Sequence, residues 1–357
     1  MSIPIANLYY LLAYASDVLR MRGYTSVGAE PTAKVQDLFA RLLIEETSIL
    51  LRRGLDQGYV ESTYDSKVVR GRIDFAESVR RSLIPRRVLA IDVAELTHDV
   101  LHNQILKSTL HALAHVEDIE PDLRHRLISI ANALPDIRRV ELNEQVFRRV
   151  QLGANARVYR FLMDVCTIVY ESLLPDERTG THRFRDFLRE DGPMAKLWEK
   201  FLLNFYKRHA AGFRVQAKNL SWHGSRVSSP SMLPQMRTDV WLESTDQVIV
   251  IDAKYYKTAL ERDRWDSSRL KLHSGHVNQM FAYLANARMV IQGDKRVSGV
   301  LLYPLVGDVV SVHEKLHDFP LQARTIDLSG HWSEIEVSLL SILDSKRWVA
   351  PGEKGLP

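Results

Sequence analysis

The stretch QMRTDVWLESTDQVIVIDAKYYK, Gln235 to Lys257, decides how this chain is read. Val248, Ile249, Val250 and Ile251 form an unbroken apolar run of the kind that fills a sheet covered on both faces, and it leads straight into Asp252, Ala253 and Lys254. Charges at the end of a core strand need partners. If Thr245 and Asp246 form a two-residue hairpin loop, the pairing rule sets Asp239 directly across from Asp252. Thr-Asp is not the favoured Asn-Gly loop, so a slip of one residue or a longer loop stays open.

Directly opposed carboxylates have Cβ atoms about 5 Å apart and repel. Lys254 follows Asp252 by two positions, so in extended chain both side chains share a face while Ala253 points away. One cation beside two anions leaves residual negative charge on an oxygen-only donor set. That set suits Mg²⁺, which takes one or two carboxylates, water and substrate phosphate. The expectation is metal-assisted phosphodiester hydrolysis, with Asp239, Asp252 and the Ala253 carbonyl as ligands and Lys254 positioning water and offsetting transition-state charge.

Glu199, inside LWEKFLLNFY, is a candidate third carboxylate and metal ligand, and equally an exposed residue of an amphipathic helix. In HVNQMFAYLANARMVI, Gln279 and Tyr283 are i, i+4 neighbours on one helix face; they suit either a site or a structural polar pair.

At 357 residues the chain has room for two domains. The net charge of +4 is modest support for a polyanionic partner, and because acidic and basic residues balance over 1–150, the excess lies in the C-terminal part. One cysteine, Cys166, excludes disulfides and cysteine zinc sites; in FLMDVCTIVY it reads as a small buried hydrophobe. The opening MSIPIANLYYLLAYASDVL lacks a cationic n-region and is interrupted by Asn7, so neither a signal peptide nor a membrane span is expected, and the expected location is cytoplasmic.

Apolar spacing predicts helices over 5–20 and 33–51, the second stopped by a basic pair and Gly54. Residues 55–97 read as short strands with turns, carrying a basic stretch at Arg70, Arg72, Arg80, Arg81, Arg86 and Arg87. That stretch fits a solvated face or a contact surface for an acidic partner. Helical segments return from Leu101 to Tyr170, and the polar run 175–193 is a candidate linker or surface loop. No internal repeat is visible.

Asp-x-Lys alone is common in proteins; the order carries the information. A helix with Glu, a strand with Asp, an apolar strand ending in Asp-x-Lys and a helix with Gln-x-x-x-Tyr together resemble the PD-(D/E)xK nuclease superfamily, and the last element resembles its RecB-like branch. Beyond this core, IPIANLYYLLAYA, VRGRIDF, LHNQILKSTLHAL, MRTDVWL, VIVIDAKYYK and NQMFAYL resemble the McrC family, the nuclease subunits of McrBC modified-cytosine restriction systems, along essentially the whole chain.

The resemblance implies an α+β N-terminal domain of helices and short strands (1–176) that docks on McrB. It implies an α/β restriction-endonuclease-like domain (177–357) with a mixed central sheet flanked by helices. It implies a hexameric AAA+ partner that binds GTP and reads modified cytosine in double-stranded DNA. This chain has no Walker-type Gly-rich loop of its own. Asp239, Asp252 and Lys254 carry over as the catalytic set, with Gln279 and Tyr283 beside them and Glu199, Asp239 and Asp252 as metal ligands. The basic stretch at Arg70–Arg87 then becomes a candidate partner contact. The alternatives are a stand-alone RecB-like nuclease and a non-catalytic activator of the partner's GTPase; the intact Asp239, Asp252 and Lys254 argue against the second.

Overall fold

The computed structural model describes residues 3–15, 34–134, 136–153, 156–175, 182–184, 191–222, 233–255, 260–262, 270–305 and 309–344. The chain divides into two compact units, one formed by Gln36–Arg185 and the other by Asp186–Pro357 together with Met1–Val35. The first helix, α1 (Ile5–Ala15), therefore belongs with the C-terminal unit and not with an N-terminal domain spanning 1–176.

In the Gln36–Arg185 unit, α2 (Val35–Arg53) buries Leu38, Phe39, Leu42 and Leu43 and stops at Gly54, whose φ of 96° is left-handed backbone that glycine takes without strain. Then come β1 (Gly58–Ser66), β2 (Arg72–Ile73), α3 (Phe75–Arg80) and β3 (Leu89–Thr97), the strands forming an antiparallel sheet in the order β1-β3-β2. The short helix α3 interrupts what the sequence pattern reads as strands and turns. Asp74 caps it, its Oδ1 accepting from the Glu77 amide at 2.9 Å. Among the described residues four helices follow in this unit: α4 (Leu101–Ala114), α5 (Pro121–Asn132), α6 (Glu144–Arg148) and α7 (Arg157–Ser172). α4 packs on α5 and α7, and Ile105, Leu110, Leu127 and Val165 on these helices are fully buried. Cys166 lies fully buried on α7, where burial pushes its thiol up to about 12 and keeps it protonated. The linker expected at 175–193 lies largely outside the described residues; β4 (Leu173–Pro175) and β5 (His182–Phe184) pair antiparallel at its edges.

The other unit opens with the long helix α8 (Asp191–His209), then β6 (Arg214–Gln216), β7 (Asn219–Leu220), β8 (Met236–Arg237), β9 (Val240–Glu243) and β10 (Gln247–Ala253). It continues through β11 (Leu260–Arg262), β12 (Leu270–Leu272), α9 (Ser274–Val290), β13 (Arg296–Pro304), β14 (Ser311–Leu316), β15 (Phe319–Ile326) and α10 (Trp332–Leu340). Among the described residues its central sheet has six strands in the order β14-β15-β13-β10-β9-β6. The sheet is mixed: β10, β13 and β15 run parallel, while β6, β9 and β14 pair antiparallel with their neighbours.

β10 is central, and all seven of its residues are buried. Val248 and Val250 pack with Met280 and Leu284 of α9, so even-numbered positions face that helix and odd-numbered ones face away. α8 packs on β6, β9 and β10, and its buried Phe201 and Phe205 meet Tyr14 of α1. α1 is held to the same unit at both ends. Asn7 Nδ2 donates to the carbonyls of Leu328 and Gly330, each at 2.8 Å. Asn204 Nδ2 on α8 donates to the last carbonyls of α1, Tyr14 at 3.1 Å and Ala15 at 2.8 Å.

One glycine sets the approach of α9 to the sheet. A Cβ on Gly299 of β13 would stand 2.7 Å from Met280 Sδ and 2.9 Å from Leu284 Cδ1. Gly299→Val is expected to cost about 1–3 kcal/mol, the usual range for overpacking, and to displace the helix that carries Gln279 and Tyr283. Chemical denaturation of the two proteins measures the loss; equal midpoints would mean the interface yields without cost.

Candidate active site

The hairpin pairs as the sequence predicts. Val248 faces Glu243, Ile249 faces Leu242, Val250 faces Trp241 and Ile251 faces Val240, and the Ser244 amide bonds the Gln247 carbonyl at 2.9 Å. Continued by one step, this register sets Asp239 against Asp252 just where the regular ladder ends. The Asp239 side chain substitutes for the missing ladder bond, its Oδ2 accepting from the Ala253 amide at 2.7 Å.

Asp252 is 1 % exposed. An isolated buried carboxylate is costly, and its partner is Lys254, whose Nζ lies 2.8 Å from Asp252 Oδ2. That oxygen has no hydrogen bond of good geometry beyond this ion pair. Burial, and next the Asp239 charge, push the Asp252 carboxyl from 3.8 up to about 7, against the pull of Lys254. Asp239 is raised as well, chiefly by burial, with the Ala253 amide and Lys254 acting the other way.

From Lys254 a chain of hydrogen bonds runs to the backbone. Lys254 Nζ donates to Gln279 Oε1 at 2.9 Å, Gln279 Nε2 to the Tyr283 hydroxyl at 2.7 Å, and that hydroxyl to the Arg237 carbonyl at 2.9 Å. Its direction follows from the end groups. A carbonyl can only accept, so Tyr283 donates to it and accepts from Gln279, and the amide then presents oxygen to an ammonium that can only donate. Gln279 and Tyr283 thereby hold the lysine and, at the same time, the backbone two residues before Asp239.

Glu199 stands on an exposed position of α8. Its neighbour Trp198 is 1 % exposed and donates through Nε1 to the Leu302 carbonyl at 3.2 Å, the same carbonyl that accepts the Lys254 amide at 2.9 Å. This shared acceptor brings Glu199 toward the site. Although the residue as a whole is exposed, protein atoms around its carboxyl desolvate it and, with the Asp239 charge, raise it, while Lys254, Arg237 and Lys196 oppose the shift. Even so, among the described residues no three His, Cys, Asp or Glu side chains gather closely enough to hold a metal ion by themselves.

His276 on α9 carried no signal in the sequence. It is buried, its Nδ1 lies 3.0 Å from the Tyr303 hydroxyl, and burial followed by the Lys254 charge pushes it down to about 4. The imidazole therefore stays neutral beside the lysine at ordinary pH. Only its position one turn before Gln279 could have drawn attention to it.

The fold and site define a two-unit protein, one unit of which places a buried aspartate, a lysine and an opposing aspartate at the end of the central strand of a mixed α/β sheet. The chain matches the family described as "McrBC 5-methylcytosine restriction system component" over residues 5–304. It is 31% identical over 344 residues to the "Type IV methyl-directed restriction enzyme EcoKMcrBC" of Escherichia coli (strain K12), covering 96% of this chain and 97% of that protein. It belongs to the McrBC restriction-system family. Two solved structures are similar at lower identity. One is a half-complex of Thermococcus gammatolerans McrB AAA+ hexamers with bound McrC: 18% identity, 95% of this chain, 76% of that chain, TM-score 0.48. The other is the Thermococcus gammatolerans McrBC complex: 21% identity, 59% and 60% coverage, TM-score 0.38. Among the described residues no helix is long and apolar enough to cross a membrane.

Two outcomes follow from this geometry. Between 3.8 and about 7 the folded protein keeps a proton on Asp252 that the unfolded chain has released, so metal-free stability falls as pH rises through that window. Thermal midpoints in EDTA from pH 4.5 to 7.5 should therefore fall in the parent relative to Asp252→Asn; parallel curves would contradict the buried-carboxylate assignment. Tyr283→Phe should lower stability by about 1–3 kcal/mol, since it leaves the Arg237 carbonyl without its donor and frees the Gln279 amide to turn. Denaturant titration reads that loss.

Proposed function

We propose that this chain is the nuclease subunit of a modified-cytosine restriction complex, with a PD-(D/E)xK site that cuts DNA by Mg²⁺-dependent phosphodiester hydrolysis. The observation that carries the reading is the buried Asp252–Lys254 pair, 2.8 Å apart, with Asp239 opposite and the Gln279–Tyr283 chain behind it. The donor set fits the metal. It offers two carboxylates with oxygen ligands only, and Asp252 Oδ2 lacks a good hydrogen bond, as a ligand oxygen awaiting a cation would. Asp239 and Asp252 would hold the ion, with water and phosphate oxygens completing its shell. Bound there, it would supply Lewis acidity at the scissile phosphate and a more acidic water.

The chain's own residues do the rest. Lys254 offsets one carboxylate charge in the resting site, and its ammonium is held for donation to the attacking water or a phosphate oxygen. Gln279 fixes the ammonium and Tyr283 fixes the amide, so little reorganisation remains when the substrate arrives. Glu199 would add a third negative charge at the rim of the site.

The relative from Escherichia coli is named as a methyl-directed restriction enzyme, and the solved assemblies combine McrB AAA+ hexamers with McrC. By that likeness the partner of this chain is an McrB-like AAA+ ring that binds GTP and recognises modified cytosine in double-stranded DNA. The Gln36–Arg185 unit would dock on the ring and stimulate its GTPase. Its small sheet and α3 support this reading, because large apolar side chains are exposed on them, Tyr59 of β1 at 76% and Phe75 and Val79 of α3 at 64% each, and Arg70, Arg86 and Arg87 are exposed in the same stretch of chain. Apolar surface rimmed by cations is the usual composition of a protein contact.

Asp239→Ala, Asp252→Ala and Lys254→Met are each expected to lower Mg²⁺-dependent cleavage of 5-methylcytosine DNA by at least about a hundredfold, the scale of losing one preorganised charged group. GTPase stimulation in the reconstituted complex should persist. Cleavage that survives Asp252→Ala would overturn the site, and substantial cleavage of circular DNA by the chain alone would favour a stand-alone nuclease.

A further inference from the structure

Arg237 stands two residues before Asp239 on β8, paired with Asn219 of β7. Its backbone is pinned on every side. Met236 is buried before it, its own carbonyl accepts the Tyr283 hydroxyl, and the fully buried Thr238 after it exchanges bonds with Lys218. There the Thr238 amide donates to the Lys218 carbonyl at 2.9 Å, and the Lys218 amide to Thr238 Oγ1 at 3.1 Å.

The side chain, by contrast, is exposed. Among the described residues its guanidinium forms no hydrogen bond or ion pair, although its charge acts on the carboxyls of both Asp239 and Glu199. Other arginines close on nearby acids: Arg80 on Glu77 at 2.6 Å, Arg81 on Asp65 at 2.7 Å, Arg138 on Asp99 at 2.5 Å. Arg237 has carboxylates within reach of its field and closes on none of them.

The site also has an electrostatic problem that this arrangement answers. Glu199, Asp239 and Asp252 outnumber Lys254, and a DNA strand must bring more negative charge to the same place. A guanidinium presents a planar fork that matches two oxygens of one phosphate, and it holds its charge at any working pH.

We propose that Arg237 is a phosphate-binding residue of this site, its guanidinium taking a backbone phosphate beside the scissile one and setting the strand against Asp239 and Asp252. The inference rests on the nuclease reading. The fixed backbone at 236–238 gives the cation a defined origin, and its freedom from internal pairs means no ion pair must break when DNA binds.

The test uses the full chain with Asp252→Asn, which leaves DNA uncut, and a fluorescent duplex titrated over a range of salt concentrations. Adding Arg237→Ala should weaken binding uniformly across sequences and reduce the slope of log K against log salt by about one. Arg237→Lys should restore the slope while recovering only part of the affinity. In the cutting complex, Arg237→Ala should raise KM for DNA more than it lowers kcat. The exposed side chain has no internal bond to lose, so thermal midpoints should match the parent and separate binding from folding. An unchanged salt slope, a Lys variant no better than Ala, or a parent chain that fails to bind the duplex at low salt would overturn the inference. Cleavage surviving Asp252→Ala would instead overturn the nuclease reading itself, so the two failures are distinguishable.

Discussion

The structure of the C-terminal unit turns on one carboxylate buried at the end of its central strand. Asp252 is held almost entirely away from water, where an unpaired charge costs several kcal/mol, and the arrangement survives because Lys254 stands 2.8 Å away. A lysine in such a place must itself be held, or side-chain entropy would release it to solvent. Gln279 and Tyr283 hold it, and they can do so because Gly299 lets α9 lie close on β13. On the other side, Trp198 and the Lys254 amide share the Leu302 carbonyl and so tie α8 to the same strand end. Helices on two sides of the sheet are thus referenced to one ion pair.

The same pair weakens the fold it organises. Burial raises both aspartates, and the Asp239 charge adds to the rise at Asp252, so ionising Asp252 near neutrality opposes folding. A core chosen for stability alone would place an apolar residue at 252. Under the proposed metal-dependent reading, a divalent cation would bind the ionised form and return part of that cost. Strain of this kind is expected where a protein does chemistry, and here it coincides with the point where consistent local patterning breaks: four apolar residues followed by Asp-Ala-Lys.

The two units meet solvent differently. The mixed sheet is covered so completely that β10 has no exposed residue, whereas the β1-β3-β2 sheet leaves Tyr59 and Leu96 open to water. A three-stranded sheet in a small unit has too little helix around it to cover both faces. What such a sheet exposes is available to another molecule, which suits a subunit of a larger restriction assembly better than a self-contained enzyme.

The central hairpin was legible because register in a hairpin is arithmetic: a tight turn between two β-rich runs sets every cross-strand pair, and Asp239 meets Asp252 as that arithmetic requires. Most helices were legible too, since their apolar spacing is a local property, and α2 ends at Gly54 as its stop signals indicate. Contacts distant in sequence left no such trace. α1 reads as an ordinary amphipathic helix, and only its packing on α8, the stacking of Tyr10 and Tyr14 on Trp332 and the bonds from Asn7 and Asn204 assign it to the C-terminal unit. Nothing in the sequence around Leu302 says that its carbonyl joins Trp198 to Lys254, and nothing around Arg237 says that Tyr283 pins its backbone. By itself the sequence determined which charged groups stand at the strand end and which face they share, because residue type and period-two alternation are local. The tertiary structure alone decided which distant groups hold those charges in place, because packing and hydrogen-bond geometry arise only when segments far apart in the chain are brought together.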